Sequence, residues 1–91
     1  MAHSKLYWPR SKAKGREVLI EMVRQNLSQG ELIELLRARG VQVSKAHTSR
    51  ICQGVAEFPT YIADEIAAVL GKPRADLFDT FERPSPASRA A

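Results

Sequence analysis

The side chains best suited to catalysis or metal binding are few in this sequence and poorly spaced for either task. His3, His47 and Cys52 are the strong metal-type ligands besides the carboxylates. Structural zinc sites need clustered Cys and His ligands, and no spacing here resembles one. His47 and Cys52 share a short segment but have no third partner, and no glycine-rich phosphate loop is present. We therefore expect no enzyme activity, no metal ion, no cofactor and no small-molecule substrate.

The basic side chains are more informative, because their distribution along the chain is uneven. Residues 1–16 contain no acidic side chain, and the formal net charge of the whole chain is +4. A basic segment attached to a near-neutral globule is typical of proteins that bind nucleic acid, whose phosphates carry the matching charge. A solvated tail that binds nothing is the alternative. The basic residues of this segment are Lys5, Arg10, Lys12, Lys14 and Arg16.

Length, composition and hydropathy limit the class of protein. A chain of 91 residues with 44% apolar side chains can form one small hydrophobic core. The single cysteine excludes an internal disulfide framework and suits a reducing cytoplasm. No apolar run approaches the length of a membrane-spanning helix, and the N-terminus lacks the apolar segment of a signal peptide. We expect one cytoplasmic domain without a membrane segment.

The apolar residues recur with the helical period, so the sequence predicts an all-α domain of five helices. The first helix is predicted over residues 13–25, with Leu19, Ile20 and Val23 facing inward. The second begins at a capping box, SQGE, and its pattern ends at Gly40.

The other three predicted helices also have start or stop signals. Ser44 caps the third helix, and Gly54 ends it at a position that favours a left-handed backbone. Pro59 opens the fourth helix, and Pro73 opens a short fifth helix that extends to about Phe81.

Several short motifs follow one another in a fixed order over residues 27–78. They are LSQGEL, then VSKAHTSRI followed by Gly54, a proline at position 59, IAAVLG and RADLF. This order resembles the Cro/repressor-type (Xre-like) helix-turn-helix family, which typically has V-S-x-x-x-x-S-R-I-x-x-G, a proline, I-A-x-x-L-G and D-x-L-F. The resemblance implies a compact lambda-repressor-like domain whose third helix enters the major groove of double-stranded DNA.

Two features depart from the family pattern. The connection within LLRARGVQVS is some five residues longer than usual. Ile33 stands where the family prefers a small residue that lets the two helices approach. Both departures bear on how the third helix is presented.

The resemblance also implies roles for individual residues, each of which is otherwise an ordinary solvated helix position. Thr48 and Ile51 are expected to face inward. The residues expected to contact bases are Lys45, Ala46, His47 and Ser49. Those expected to contact phosphates are Gln29, Arg37, Arg39, Arg50 and Gln53.

By analogy with family members whose basic N-terminal segment wraps the duplex, an arm is expected to contact DNA here as well. The arm residues are Lys5, Arg10, Lys12 and Lys14. The residues expected to form a homodimer interface are Leu77, Phe78 and Phe81. The predicted domain division is a basic flexible arm over residues 1–12, a helix-turn-helix domain over 13–82 and a disordered tail over 83–91.

The sequence thus predicts a sequence-specific DNA-binding transcriptional regulator, a repressor of phage or bacterial origin that acts by operator occlusion. It would bind as a homodimer and associate with the nucleoid. Two alternatives use the same fold: an architectural or recombination-directionality DNA binder, and an antirepressor or antitoxin that binds a protein.

Overall fold

A computed structural model describes residues 9–81, in which five helices and three short strands follow one another in the order β-α-α-α-β-α-α-β. The strands are β1 (Arg10–Ala13), β2 (Phe58–Pro59) and β3 (Phe78–Phe81). The helices are α1 (Glu17–Arg24), α2 (Gln29–Ala38), α3 (Lys45–Gln53), α4 (Thr60–Leu70) and α5 (Arg74–Leu77). None of the helices in residues 9–81 is long and apolar enough to cross a membrane.

The strands form one antiparallel sheet in the order β2-β1-β3, so the all-α fold class predicted from the sequence is wrong. The domain is mixed α/β, with five helices and a three-stranded sheet. Strand β1 is central, with Ser11 opposite Phe58 of β2 and Thr80 of β3. The fifth helix ends at Leu77 and not near Phe81, because residues 78–81 are extended and pair with β1.

The sheet is absent from the hydropathy pattern because its strands are short and its central strand buries a hydroxyl group. Ser11 is fully buried, and its Oγ lies 2.9 Å from Thr60 Oγ1 and 3.4 Å from Thr80 Oγ1. These hydrogen bonds satisfy a group that would be costly to bury alone. Since Ser11 and Ala13 both face inward, the strand alternates in burial but not visibly in polarity.

The central strand also corrects the predicted domain boundary at residue 12. Arg10 and Lys12 belong to β1 and are held in the sheet, so this part of the expected flexible arm is an integral strand. The Arg10 side chain donates a hydrogen bond to the Glu57 carbonyl oxygen at 2.9 Å. Lys5 and the tail predicted over residues 83–91 lie outside the described residues.

One hydrophobic core joins the sheet to the helices. The rings of Phe58 and Phe78 meet edge to face, with centroids 5.5 Å apart, which is a favoured aromatic geometry. Leu32 and Leu36 of α2 and Ile51 of α3 are fully buried around them. Burial of this kind stabilises a small domain by about 2 kcal/mol for each large apolar side chain.

The face of helix α1 that packs against the core is not the one predicted from the sequence. Val18 and Met22 are buried, whereas Ile20 is 44% exposed and Val23 is 79% exposed. Leu19 is only partly buried. The prediction was wrong because apolar residues surround most of this short helix, so periodicity alone does not select the side that packs.

The predicted caps of α2 and α3 are confirmed. Ser28 Oγ accepts a hydrogen bond from the Glu31 N–H at 3.1 Å, and the Glu31 carboxylate accepts one from the Ser28 N–H at 2.9 Å. Hydrogen bonding to Ser28 lowers the pKa of Glu31 below its ordinary value, and the bond to the Ser28 backbone contributes more than the one to its side chain. Ser44 Oγ accepts a hydrogen bond from the His47 N–H, and Gly54 ends α3 in the left-handed region.

Candidate nucleic-acid interface

Helix α3 presents one face to the core and the other to solvent. Thr48, Ile51 and Cys52 are buried, as predicted for the first two. Thr48 Oγ1 donates a hydrogen bond to the Ser44 carbonyl oxygen at 2.8 Å, and Cys52 Sγ lies 3.7 Å from Met22 Sδ of α1. These contacts fix the rotation of α3 about its axis and therefore decide which residues face outward.

The outward face of α3 carries the residues predicted to contact bases. Lys45, Ala46 and His47 are exposed, and Ser49 is half-buried. The Gln53 side-chain amide donates a hydrogen bond to Ser49 Oγ at 3.0 Å, which holds these two side chains together on one face. Helix α3 contains no acidic residue, so nothing on this face repels a polyanion.

The long connection between α2 and α3 is held by two apolar residues. Gly40 adopts φ +86°, and the Val41 N–H donates a hydrogen bond to the Leu36 carbonyl oxygen at 2.9 Å. Val41 is buried and Val43 packs against the core. Ile33 is half-buried and lines a surface depression with these two valines, so the extra length and the larger side chain are accommodated beside the helix pair.

A close glycine contact joins the C-terminal end of α3 to the segment that precedes α1. Gly54 has φ +76°, and a Cβ atom there would lie 2.7 Å from the Gly15 carbonyl oxygen and 3.2 Å from that of Ala13. Only glycine allows the two backbones to approach so closely. The contact brings the turn that contains Lys14 next to the last turn of α3, which contains Arg50.

The basic side chains of residues 9–81 divide into those with an acidic partner and those without one. Ion pairs involve Arg10, Arg24, Arg37, Arg39, Lys72 and Arg74. The unpaired cations of this part of the chain are Lys12, Lys14, Arg16, Lys45 and Arg50. All of them lie on α3 or on residues 12–16, the two segments that the glycine contact joins.

The predicted phosphate contacts differ in whether an acidic side chain already pairs with them. Arg37 pairs with Glu34 at 3.2 Å, and Arg39 pairs with Glu65 of α4. Their charges are partly neutralised, so each would have to exchange an acidic partner for a phosphate. Arg50 is exposed without such a partner, which makes it the stronger candidate.

The other residues predicted to contact DNA differ in their burial and in the charges near them. Gln29 is the first residue of α2 and is half-buried. Lys12 lies opposite Asp79 across the β1–β3 pair, so a nearby acidic group weakens its attraction for phosphate. Arg16 was not assigned to DNA from the sequence, because only the ion pairs of the folded chain show that its charge is uncompensated.

The structure separates the two α3 residues with the most reactive side chains. His47 is exposed, whereas Cys52 is buried against α1. Burial raises the pKa of the Cys52 thiol to about 11, which keeps it protonated at neutral pH. Within residues 9–81, no three His, Cys, Asp or Glu side chains are grouped so that they could hold a metal ion.

Two of the residues predicted to form a dimer interface are buried within one chain. Leu77 and Phe78 are 2% and 1% exposed and belong to the hydrophobic core, so they cannot contact a second copy while the domain is folded. Phe81 is 37% exposed and lies in β3 opposite Arg10. Phe78 faces the core because residues 78–81 are an extended strand and not the predicted helix, whereas Leu77 lies in α5 as predicted and packs into the core from there.

Comparisons of the chain with protein-family models, with curated proteins and with solved structures find no match in any of the three. The resemblance to the Cro/repressor-type family therefore rests on the motifs of the sequence alone.

Proposed function

We propose that this protein is a sequence-specific double-stranded DNA-binding regulator of bacterial or phage origin that represses transcription by occupying operator DNA. The observation that carries the proposal is the distribution of uncompensated charge. The cations that form no ion pair within residues 9–81 lie on α3 and on the adjoining residues 12–16. Such a surface attracts phosphates without first breaking internal ion pairs.

In this proposal α3 lies in the major groove and the adjoining segment follows the DNA backbone. Lys45 donates to base edges near the start of α3, and Ala46 and Ser49 contact neighbouring bases. Arg50 and Lys14 bind phosphates on either side of the glycine contact. No step requires catalysis, a metal ion or a small ligand, and the protein acts in the cytoplasm on nucleoid DNA.

A protein-binding antirepressor or antitoxin is the alternative from another class. Exposed apolar side chains on α1, Ile20 and Val23, favour contact with a protein. They share a surface depression with Arg16, so a protein bound there would border the proposed DNA-contacting surface. An architectural DNA binder would use the same cations but would show little sequence preference.

The variant Lys45→Ala tests whether α3 reads sequence. We expect it to reduce the affinity for the preferred duplex by about tenfold while changing the affinity for unrelated DNA much less, because a base contact discriminates and a phosphate contact does not. Fluorescence anisotropy with duplexes from around the gene, at two salt concentrations, measures both affinities. Lys72→Ala removes a cation that is paired with Glu21 and serves as the matched control.

Two outcomes would count against the proposal. If the wild-type protein bound no duplex in preference to others, sequence-specific regulation would be excluded. If Lys45→Ala weakened binding to all duplexes equally, the placement of α3 in the groove would be wrong.

A further inference from the structure

The outward side of α1 carries an apolar strip formed by Leu19, Ile20 and Val23. Ile20 and Val23 are exposed, Leu19 is half-buried at the edge of the core, and Arg16 and Arg24 line the same depression. Val23 is the most exposed large apolar side chain in this part of the chain, at 79%. The adjoining face of α1 holds Val18 and Met22 in the core. Helix α1 is therefore apolar on two sides, and only one of them has a partner.

We propose that the apolar strip binds the same strip of a second copy of this chain, with the two α1 helices antiparallel about a two-fold axis. In an antiparallel pair, Ile20 lies opposite the partner's Val23, and the two-fold axis repeats this contact. The contact is isologous, so one surface supplies both halves of the interface.

In this arrangement the charged residues beside the strip lie next to residues of opposite charge on the partner. Glu17 and Arg24 lie two helical turns apart on the same flank of α1. An antiparallel partner brings its Arg24 next to Glu17 at one end and its Glu17 next to Arg24 at the other. In a parallel two-fold pair the flank that carries Glu17 and Arg24 would instead face the opposite flank of the partner, so these attractive pairs would not form.

Both charged side chains are available for such a contact. Glu17 is exposed and forms no ion pair with any residue of the described range 9–81, and the Arg24 side chain is 69% exposed. Arg24 Nη1 lies 3.6 Å from Glu21 Oε1, and a guanidinium carries five N–H donors, so it can meet a second acid as well. The depression that contains the strip is lined by residues 16–24 alone, so no residue of α3 belongs to the proposed interface.

Sedimentation equilibrium of the full chain without DNA tests the proposal independently of any DNA-binding function. We expect the wild-type protein to dimerise reversibly below about 1 mM. Glu17→Arg and Arg24→Glu, each alone, should raise the dimer dissociation constant about tenfold, because two attractive pairs become repulsive. An equimolar mixture of the two variants should dimerise like the wild type, since the introduced arginine then meets the introduced glutamate.

A matched pair of valine variants tests the apolar part of the interface. Val23→Asp should abolish the dimer, whereas Val55→Asp, at a position that is 65% exposed outside the strip, should leave it intact. Unchanged circular dichroism spectra confirm that both variants fold. A wild-type monomer at all concentrations, a dimer that is insensitive to Val23→Asp, or a variant mixture that fails to recover would each overturn the proposal; a monomer would assign the strip to a different occupant.

Discussion

Gly54→Ala is expected to lower the free energy of unfolding by about 3 kcal/mol or more, a large share of the stability of so small a domain. The residue combines two constraints that an added methyl group violates. Its φ of +76° is strained for any L side chain, and a Cβ atom would lie 2.7 Å from the Gly15 carbonyl oxygen. Because that oxygen belongs to the backbone, relief requires α3 and the turn before α1 to move apart.

Two other glycines provide matched controls for this prediction. Gly40 and Gly71 also have positive φ values, +86° and +69°, but an added Cβ atom would meet no heavy atom within 4 Å at either position. Their alanine variants should therefore lower the free energy of unfolding by about 1 kcal/mol each, which is the cost of a positive φ for a residue with a side chain. Urea unfolding followed by circular dichroism measures all three. If Gly54→Ala cost no more than Gly40→Ala, the two backbones would not be in close contact.

The double variant Lys14→Glu/Arg50→Glu is expected to lower DNA affinity by about a hundredfold or more at low salt. Each substitution removes a cation with no acidic partner and replaces it with a charge that repels phosphate. The loss of two phosphate contacts should also reduce the slope of log affinity against log salt by about 2. Titrations at several salt concentrations give both quantities.

The control for this charge reversal is a second double variant that changes the net charge by the same amount at a different place on the surface. Lys72→Glu/Arg74→Glu alters the net charge by the same amount at cations that pair with Glu21 and Asp64. We expect a much smaller loss of affinity from this control. Equal losses from the two double variants would mean that DNA responds to the total charge of the protein and not to a defined surface.

Local signals in the sequence predicted the helices around the candidate site. Ser28, Ser44 and Gly54 mark the ends of α2 and α3 through their own side chains or backbone freedom, and these assignments hold in the structure. The inward positions of Thr48 and Ile51 follow from the same helix register. Such features depend on neighbours in sequence, which is why a single chain discloses them.

The sheet and the ranking of the cations depend on contacts between distant residues. Ser11 is buried only because Thr60 and Thr80 supply hydroxyl partners from elsewhere in the chain. Likewise, Arg39 differs from Arg50 only through Glu65, which is distant in sequence. No local pattern carries these two contacts, so the sequence alone predicted a flexible arm and gave Arg39 and Arg50 the same phosphate-binding role. The Arg37–Glu34 pair differs, because its partners are only three residues apart on α2.

The pairing of the N-terminal segment changes what that segment does in the proposed complex. A flexible arm would become ordered on DNA at an entropic cost, whereas residues 10–13 are already fixed as the central strand. Lys14, in the turn that follows, is held beside α3 before DNA arrives. Preorganisation of this kind favours binding without a further ordering step.

The most direct test of the account is a map of amide chemical shifts in the ¹⁵N-labelled protein during titration with the duplex that it prefers. We predict that the largest changes occur in α3, around Lys45, Ser49 and Arg50, and in residues 12–16, while the amides of α5 and Lys72 stay nearly unchanged. Largest changes on α5, or no change along α3 at saturating DNA, would contradict it.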